Sequence, residues 1–231
     1  MGSYAMKVGL IVQMRLDSKR LPRKALLPFA DTVLAGYVLE RLKRLVTDEY
    51  ILASPEDSAK ELAPYAADNG FDIFAGPKED VLARYALAVK KYRLDTIIRA
   101  TGDNPFVSIP LARMALSFKN DADYIAITGM PLGMGVEVVN AKALLDAYAK
   151  AKDPFDREHV CPYLYKRPEL YKILKPDCPS EYFYPDGRLT IDTEQDYQNA
   201  IQLLDALGMD CSDFSILSWL KSHDAKKRQN L

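Results

Sequence analysis

At 231 residues, with 48% hydrophobic and 27% charged side chains, the chain has the composition of a soluble globular protein, which excludes wholesale disorder. Its 31 basic residues nearly balance 32 acidic ones, and a net charge of −1 gives no electrostatic reason to expect nucleic acid or an anionic membrane as a partner. The longest apolar runs, such as residues 8–12, are far too short to span a bilayer, and no charged-then-apolar signal opens the chain.

Residues 1–5 precede a second methionine, Met6, and read as an added leader, with a natural disordered start as the alternative; Gly2 makes no myristoylation site, because Met6 stands where Ser or Thr is needed. Residues 7–13 read as a buried strand, with Val8, Leu10, Ile11 and Val12 nearly continuous, as parallel sheets prefer. A basic loop over 14–30 leads to a helix beginning near Thr32, in which Leu34, Val38, Leu42 and Leu45 share one face. Strands are predicted at 50–53, 72–75, 96–100 and 124–128, separated by helices opening at a Ser58–Glu61 capping box, over 81–92 and over 110–119. Repeated strand–helix–strand order implies a parallel sheet with right-handed crossovers and helices on both faces.

After Gly129 the pattern changes. Residues 130–135 form a Gly/Pro/Met loop, 136–140 a strand and 141–150 a helix; 153–177, rich in Pro and Tyr, suggest an excursion that covers a site or builds a subunit interface. A short returning strand at 189–191, a helix over 193–207 and a last helix over 213–223 complete the chain, with a solvated basic tail at 226–228. Cys161, Cys178 and Cys211 are odd in number and form no CxxC pair, so neither a disulfide framework nor a zinc knuckle is expected, and a reducing cytoplasm is the simplest compartment.

In open α/β sheets ligands bind beyond the carboxyl ends of the strands, and three segments there carry chemistry. Residues 13–24 hold five cations among twelve residues, so this loop can fold over a polyphosphate, although on charge alone it is equally a solvated basic loop. It is no P-loop, since GxxxxGK[ST] is absent, and no GxGxxG occurs. Asp103, in Thr101-Gly102-Asp103-Asn104-Pro105, can hold Mg²⁺ through oxygen, yet such a segment is also ordinary turn chemistry. Asp192 ends the predicted returning strand just before a helix capped by Thr193-x-x-Asp196, where a helix-start aspartate is by itself the better reading.

Taken together, Gln13-x-Arg15, Ser18-Lys19-Arg20-Leu21-Pro22-x-Lys24, Ala53-Ser54, Asp80-Val81-Leu82-x-Arg84-Tyr85, Arg99-x-Thr101-Gly102-Asp103-x-Pro105, Val136-Glu137-Val138, Arg157-Glu158-His159-Val160 and Arg188-Leu189-Thr190-x-Asp192-Thr193 resemble the cytidylyltransferases that activate acidic sugars. The resemblance is closest to the spore coat polysaccharide biosynthesis protein F branch and runs from Val8 to about Leu204. It implies a Rossmann-like nucleotide-diphospho-sugar transferase fold, a single nucleotidyltransferase domain over 1–231, with about 153–185 as an excursion serving as lid or dimer interface. It implies that Gln13, Arg15, Ser18, Arg20, Lys24, Ala53, Ser54, Arg84, Thr101 and Asp103 bind nucleotide, Arg15, Arg20 and Lys24 holding the triphosphate. Arg15, Lys24, Asp103 and Asp192 would be catalytic, with Asp103 and Asp192 holding Mg²⁺. Glu137, Arg157 and His159 would face the sugar, Arg157 gripping a carboxylate with its forked donors; His159 reads equally as a packed residue, and Glu137 as a solvent-facing strand residue.

The family usually has glycine where this chain has Arg23, so the arginine must take a different loop path or point outward. The expected reaction is Mg²⁺-dependent transfer of CMP from CTP to an acidic or amino sugar with release of pyrophosphate, by a cytoplasmic homodimer. The alternatives are a glycosyltransferase, for which Asp121-Ala122-Asp123 is literally DxD but precedes a strand, and a catalytically silent nucleotide-binding subunit, for which Arg23 is the only support.

Overall fold

The computed structural model describes residues 6–229, so the leader expected at 1–5 lies outside it. Strand β1 (Val8–Gln13) has Leu10, Ile11 and Val12 fully buried, because helices cover both faces of the sheet it centres. A two-strand ribbon, β2 (Pro28–Phe29) and β3 (Thr32–Val33), then leads into α1 (Leu34–Leu42). Next come β4 (Glu49–Pro55), α2 (Glu56–Asp68), β5 (Asp72–Gly76), α3 (Val81–Tyr92), β6 (Thr96–Thr101), α4 (Ile109–Ser117) and β7 (Tyr124–Ala126). The chain continues through β8 (Glu137–Asn140), α5 (Ala141–Lys150), α6 (Pro154–His159), α7 (Pro162–Tyr165), β9 (Ile173–Leu174), α8 (Glu194–Leu207) and α9 (Asp213–Gln229).

The main sheet runs β5-β4-β1-β6-β8-β7-β9. All its pairings are parallel except the two made by β8, which lies antiparallel between β6 and β7. The α/β reading therefore holds, with one reversed strand. Leu10 and Val12 pack into the layer that includes α1, α4, α8 and α9, whereas Ile11 joins the layer of α3, α5 and α7. Helix starts are fixed by short polar side chains: Asp80 for α3, Ser108 for α4, Asn140 for α5, and the reciprocal Thr193–Asp196 box for α8.

Three expectations are corrected. The Ser58–Glu61 capping box does not form, because β4 runs on to Pro55 and α2 starts at Glu56; Ser58 instead accepts from the Leu16 amide at 3.2 Å and donates to Asp57. The 153–177 excursion is not purely a departure from the sheet: it returns as β9, parallel to β7 at the sheet edge. Residues 189–191 make no sheet strand; Leu189 donates to the Leu132 carbonyl and Ile191 to the Asp103 carbonyl, each at 2.8 Å, so the segment is laid across two loops.

Candidate active site

The carboxyl ends of β1, β4 and β6 lie side by side, with Gln13 in register with Ala53 on one flank and Thr101 on the other. The loop leaving β1 is pinned early: the Met14 amide donates to the Ala53 carbonyl, and the Arg23 amide to the Leu16 carbonyl at 3.0 Å. Arg23 takes a left-handed conformation, φ 55° and ψ 26°, and opens a 3₁₀ turn, Lys24–Leu26. Its guanidinium points outward to the exposed Glu61 carboxylate. The arginine thus keeps the positive φ that a glycine would supply and directs its charge to the surface.

That turn aims Lys24 inward. Its side chain is 14% exposed, and Nζ donates to Asp103 Oδ2 at 3.0 Å, to Asp192 Oδ1 at 3.2 Å and to the Ile191 carbonyl at 2.7 Å. Asp103 also accepts from the Thr101 hydroxyl at 2.6 Å, while its carbonyl takes the Ile191 amide and thereby holds the 188–192 segment against the end of β6. Asp192 receives Arg188 at 2.7 Å and Arg20 at 3.1 Å. Burial alone would raise the Asp192 carboxyl, but Lys24, Arg188 and Arg20 outweigh it and hold the group below the usual carboxylate range. Two aspartates 89 residues apart thus share one ammonium, the charge a bridging cation would supply.

The other expected residues are placed as follows. Arg15 is half-exposed, 3.6 Å from Asp17, and the Ser18 hydroxyl accepts from the Leu21 amide within the loop. Ala53 and Ser54 are fully buried, and the Ser54 hydroxyl has no hydrogen-bond partner. Arg84 is buried and donates to the Pro77 and Lys78 carbonyls, so it braces the loop before α3. Glu137 opens β8 opposite Arg99 in register; the two form a part-buried ion pair, Arg99 also donates to the Gln13 side chain at 3.0 Å, and the Tyr124 hydroxyl donates to Glu137 at 2.6 Å.

Arg157 stands apart. It donates to Asp80, to the Tyr148 carbonyl at 2.8 Å and to the Ala151 carbonyl at 3.1 Å, tying α6 to α3 and to the end of α5. His159 is exposed and lies against the Phe155 ring, 4.3 Å between centroids. A cavity of about 480 Å³ opens beside Thr101 and Asn104, lined by Arg99 and mostly by the 126–137 segment, Glu137 included; neither Arg157 nor His159 lines it.

Sequence reasoning gave no role to Arg99 or Arg188, nor to the Ile191 carbonyl. A cation inside the apolar stretch Thr96–Thr101 is the signal for Arg99, because such a charge needs a buried partner. Nothing in the sequence marks a backbone carbonyl.

Among the described residues, no group of three or more His, Cys, Asp or Glu side chains could hold a metal. Two carboxylates are nevertheless enough for a hard cation that shares its remaining positions with phosphate oxygen and water. The ammonium lodged between Asp103 and Asp192 shows that the pocket between them accepts positive charge.

The family model described as Cytidylyltransferase matches residues 10–218. An uncharacterized protein of Methanocaldococcus jannaschii is 39% identical over 205 residues, covering 86% of this chain and 83% of its own. The spore coat polysaccharide biosynthesis protein SpsF of Bacillus subtilis is 33% identical over 207 residues, covering 86% of each. A cytidylyltransferase structure from Leptospira borgpetersenii superposes with a TM-score of 0.86 at 29% identity over 96% of both chains. Two more distant structures share the fold. CMP:2-keto-3-deoxy-manno-octonic acid synthetase complexed with CTP has a TM-score of 0.64 at 15% identity, covering 87% of this chain and 99% of its own. A manganese complex of Rv0371C from Mycobacterium tuberculosis has a TM-score of 0.62 at 18% identity, covering 86% and 99%.

Proposed function

The chain belongs to the cytidylyltransferase family and is a nucleotidyltransferase; from that premise we propose that it transfers CMP from CTP to a sugar, with release of pyrophosphate, in the biosynthesis of a surface polysaccharide. The observation that carries this reading is the convergence of Lys24, Asp103 and Asp192 at the carboxyl ends of the central strands, with Arg20 and Arg188 on the same aspartate.

A sugar hydroxyl attacks the α-phosphorus in line, and pyrophosphate leaves. Such a reaction asks little covalent chemistry of the protein; positioning and charge neutralisation supply the acceleration. Arg15, Arg20 and Lys24 neutralise the triphosphate and then the departing pyrophosphate, with Arg giving forked contacts and Lys a point charge. Gln13 and Thr101 fix the strand ends on which the loop closes, and Thr101 orients Asp103 through its hydroxyl. Asp103 and Asp192 would hold Mg²⁺, which when bound supplies further neutralisation of phosphate charge.

The glycosyltransferase reading gains nothing from the DxD triplet. Asp121–Asp123 precede β7, which runs parallel to β6 through β8, so the triplet lies at the opposite end of the sheet from Lys24; there the Asp123 carboxylate accepts the Lys172 amide at 2.9 Å. The silent-subunit reading loses its support because Arg23 preserves the turn. The test is a pyrophosphate-release screen of the four ribonucleoside triphosphates against a sugar panel with Mg²⁺. Release that requires CTP and a sugar together is expected. Turnover of a nucleotide sugar without pyrophosphate would replace the reading, as would CTP binding without turnover of any sugar.

A further inference from the structure

Lys24 Nζ sits among three oxygens, Asp103 Oδ2 at 3.0 Å, Asp192 Oδ1 at 3.2 Å and the Ile191 carbonyl at 2.7 Å. An ammonium has three N–H donors and accepts nothing, so these contacts use its whole capacity. In this arrangement no donor of Lys24 is left to meet a phosphate. The lysine can serve a triphosphate only by giving up oxygens it now holds.

Those oxygens are fixed by groups other than Lys24. The Thr101 hydroxyl donates to Asp103 at 2.6 Å, and Arg188 donates to Asp192 at 2.7 Å. The Ile191 peptide is held by its own amide, which donates to the Asp103 carbonyl, and by full burial of its side chain. Lys24 reaches in on a flexible four-carbon stem from a turn whose backbone is pinned separately, the Arg23 amide to the Leu16 carbonyl and the Leu27 amide to the Lys24 carbonyl. The stem can therefore swing while the turn and the three oxygens stay in place. Two carboxylates and a carbonyl are hard oxygen donors, the set that Mg²⁺ and Mn²⁺ take.

Charge decides when the ammonium leaves. Asp103 and Asp192 are met by Lys24, Arg20 and Arg188, three cations for two carboxylates. A divalent metal arriving alone must displace a fully bonded ammonium from surroundings that already carry excess positive charge. A triphosphate reverses that balance and offers Lys24 anionic acceptors in exchange.

We propose that Asp103, Asp192 and the Ile191 carbonyl form one cation seat with two alternative occupants, the Lys24 ammonium and a divalent metal, and that a triphosphate drives the exchange. The metal then enters with the nucleotide and not ahead of it. The inference rests on the CMP-transfer reading above and adds an order of events to it.

The experiment measures Mn²⁺ binding to the full chain without nucleotide, from the electron paramagnetic resonance signal of free Mn²⁺. Lys24→Met is expected to bind Mn²⁺ about tenfold or more tightly than the parent, the factor that corresponds to one charge-assisted contact. Arg20→Ala removes a cation from the same Asp192 oxygen but leaves the seat filled, and Arg20 is 64% exposed, so its gain should stay within about threefold. Equal gains in the two variants would reduce the effect to net charge and overturn the exchange, as would no gain in Lys24→Met. A second measurement keeps the test open where Lys24→Met fails to fold. The ¹⁵N resonance of the Lys24 ammonium in the parent, assigned by its loss in Lys24→Arg, should shift when CTP binds in the presence of EDTA. An unchanged resonance with CTP bound would show that the lysine keeps its seat, and would overturn the inference while leaving CMP transfer standing. Failure of CTP to bind would overturn the CMP-transfer reading, whereas the Mn²⁺ comparison, made without nucleotide, still decides the seat.

Discussion

Lys24 is the residue on which the site's electrostatics turn. Removing it as Lys24→Met leaves Asp103 and Asp192 without their shared ammonium, and the like charges it held apart then repel each other directly. The pH consequence follows from the depressed Asp192 pKa: its stabilising contribution is present above the unfolded value, about 3.9, and is lost as pH falls through the lower folded value. Lys24→Met should raise the folded value and move the acid-unfolding midpoint to higher pH, as followed by circular dichroism; an unchanged midpoint would show that the ammonium does not set it. Asp192→Asn keeps the shape and removes a charge, so folding should survive while turnover falls about 10²–10³-fold, the loss typical of one electrostatic stabiliser. Turnover within a fewfold of the parent across a full Mg²⁺ titration would leave Asp192 as a helix-start aspartate only. Arg20→Ala should weaken CTP binding far more than cytidine binding, by about 1.5–3 kcal/mol, in a calorimetric titration. Arg23→Gly should leave the KM for CTP within about twofold, because the guanidinium is directed at Glu61 and φ is already positive. At this scale the sequence made the basic loop and the two aspartates readable through motif spacing. It left Arg188 and the Ile191 carbonyl hidden, because their role arises only when a loop crosses the end of β6.

The elements with strong periodicity were legible: α3 over Val81–Tyr92 and α5 over Ala141–Lys150 have the bounds that their apolar spacing predicts. Ser58 misled because its motif is correct but its hydroxyl is drawn to the Leu16 amide, a contact 42 residues away. The direction of β8 was invisible for a similar reason, since a four-residue strand reads alike whichever way it runs. The element most dependent on a single polar cluster is α9. Its first residue, Asp213, is buried with Arg41 at 3.0 Å and Ser108 at 2.5 Å, and Arg41 also donates to the Val107 carbonyl. Asp213→Ala would leave the Arg41 charge buried and unpaired, at a cost of about 3–5 kcal/mol in chemical denaturation. A change below about 1 kcal/mol would mean that water reaches Arg41 and replaces the carboxylate.

For the whole molecule, the α/β class and the placement of chemistry at the strand ends followed from the alternation of elements, and the structure adds the order in which distant parts meet. The homodimer expected from the Pro/Tyr-rich excursion is retained as a proposal. Light scattering at micromolar concentration should give twice the chain mass of 26.0 kDa, and a monomer there would remove it. Within that region Tyr163 and Tyr182 are buried in the protomer, whereas Phe183 is 54% exposed and is the more suitable apolar contact for a second copy. No helix among the described residues is long and apolar enough to cross a membrane. Cys161, Cys178 and Cys211 are free and buried, with burial pushing each thiol pKa up, so none is poised for redox exchange.

The bond from Lys24 to Asp192 spans 168 residues, and that distance along the chain fixes when the site can exist. The strands that carry Gln13, Ala53 and Thr101 are joined by local crossovers, but Asp192 reaches them only after the final third of the chain has docked. Contacts of such long separation carry the largest closure cost and are expected late in folding. A growing polypeptide that has emerged only to residue 185 therefore contains the basic loop and Asp103 yet lacks half of the paired carboxylates, so on the proposed reading competence must await emergence of the segment that carries Asp192. Trp219, the single tryptophan, sits on α9 and reports docking of that last third through its fluorescence. In refolding from urea, turnover should return with or after the Trp219 signal, and turnover that precedes it would contradict this order.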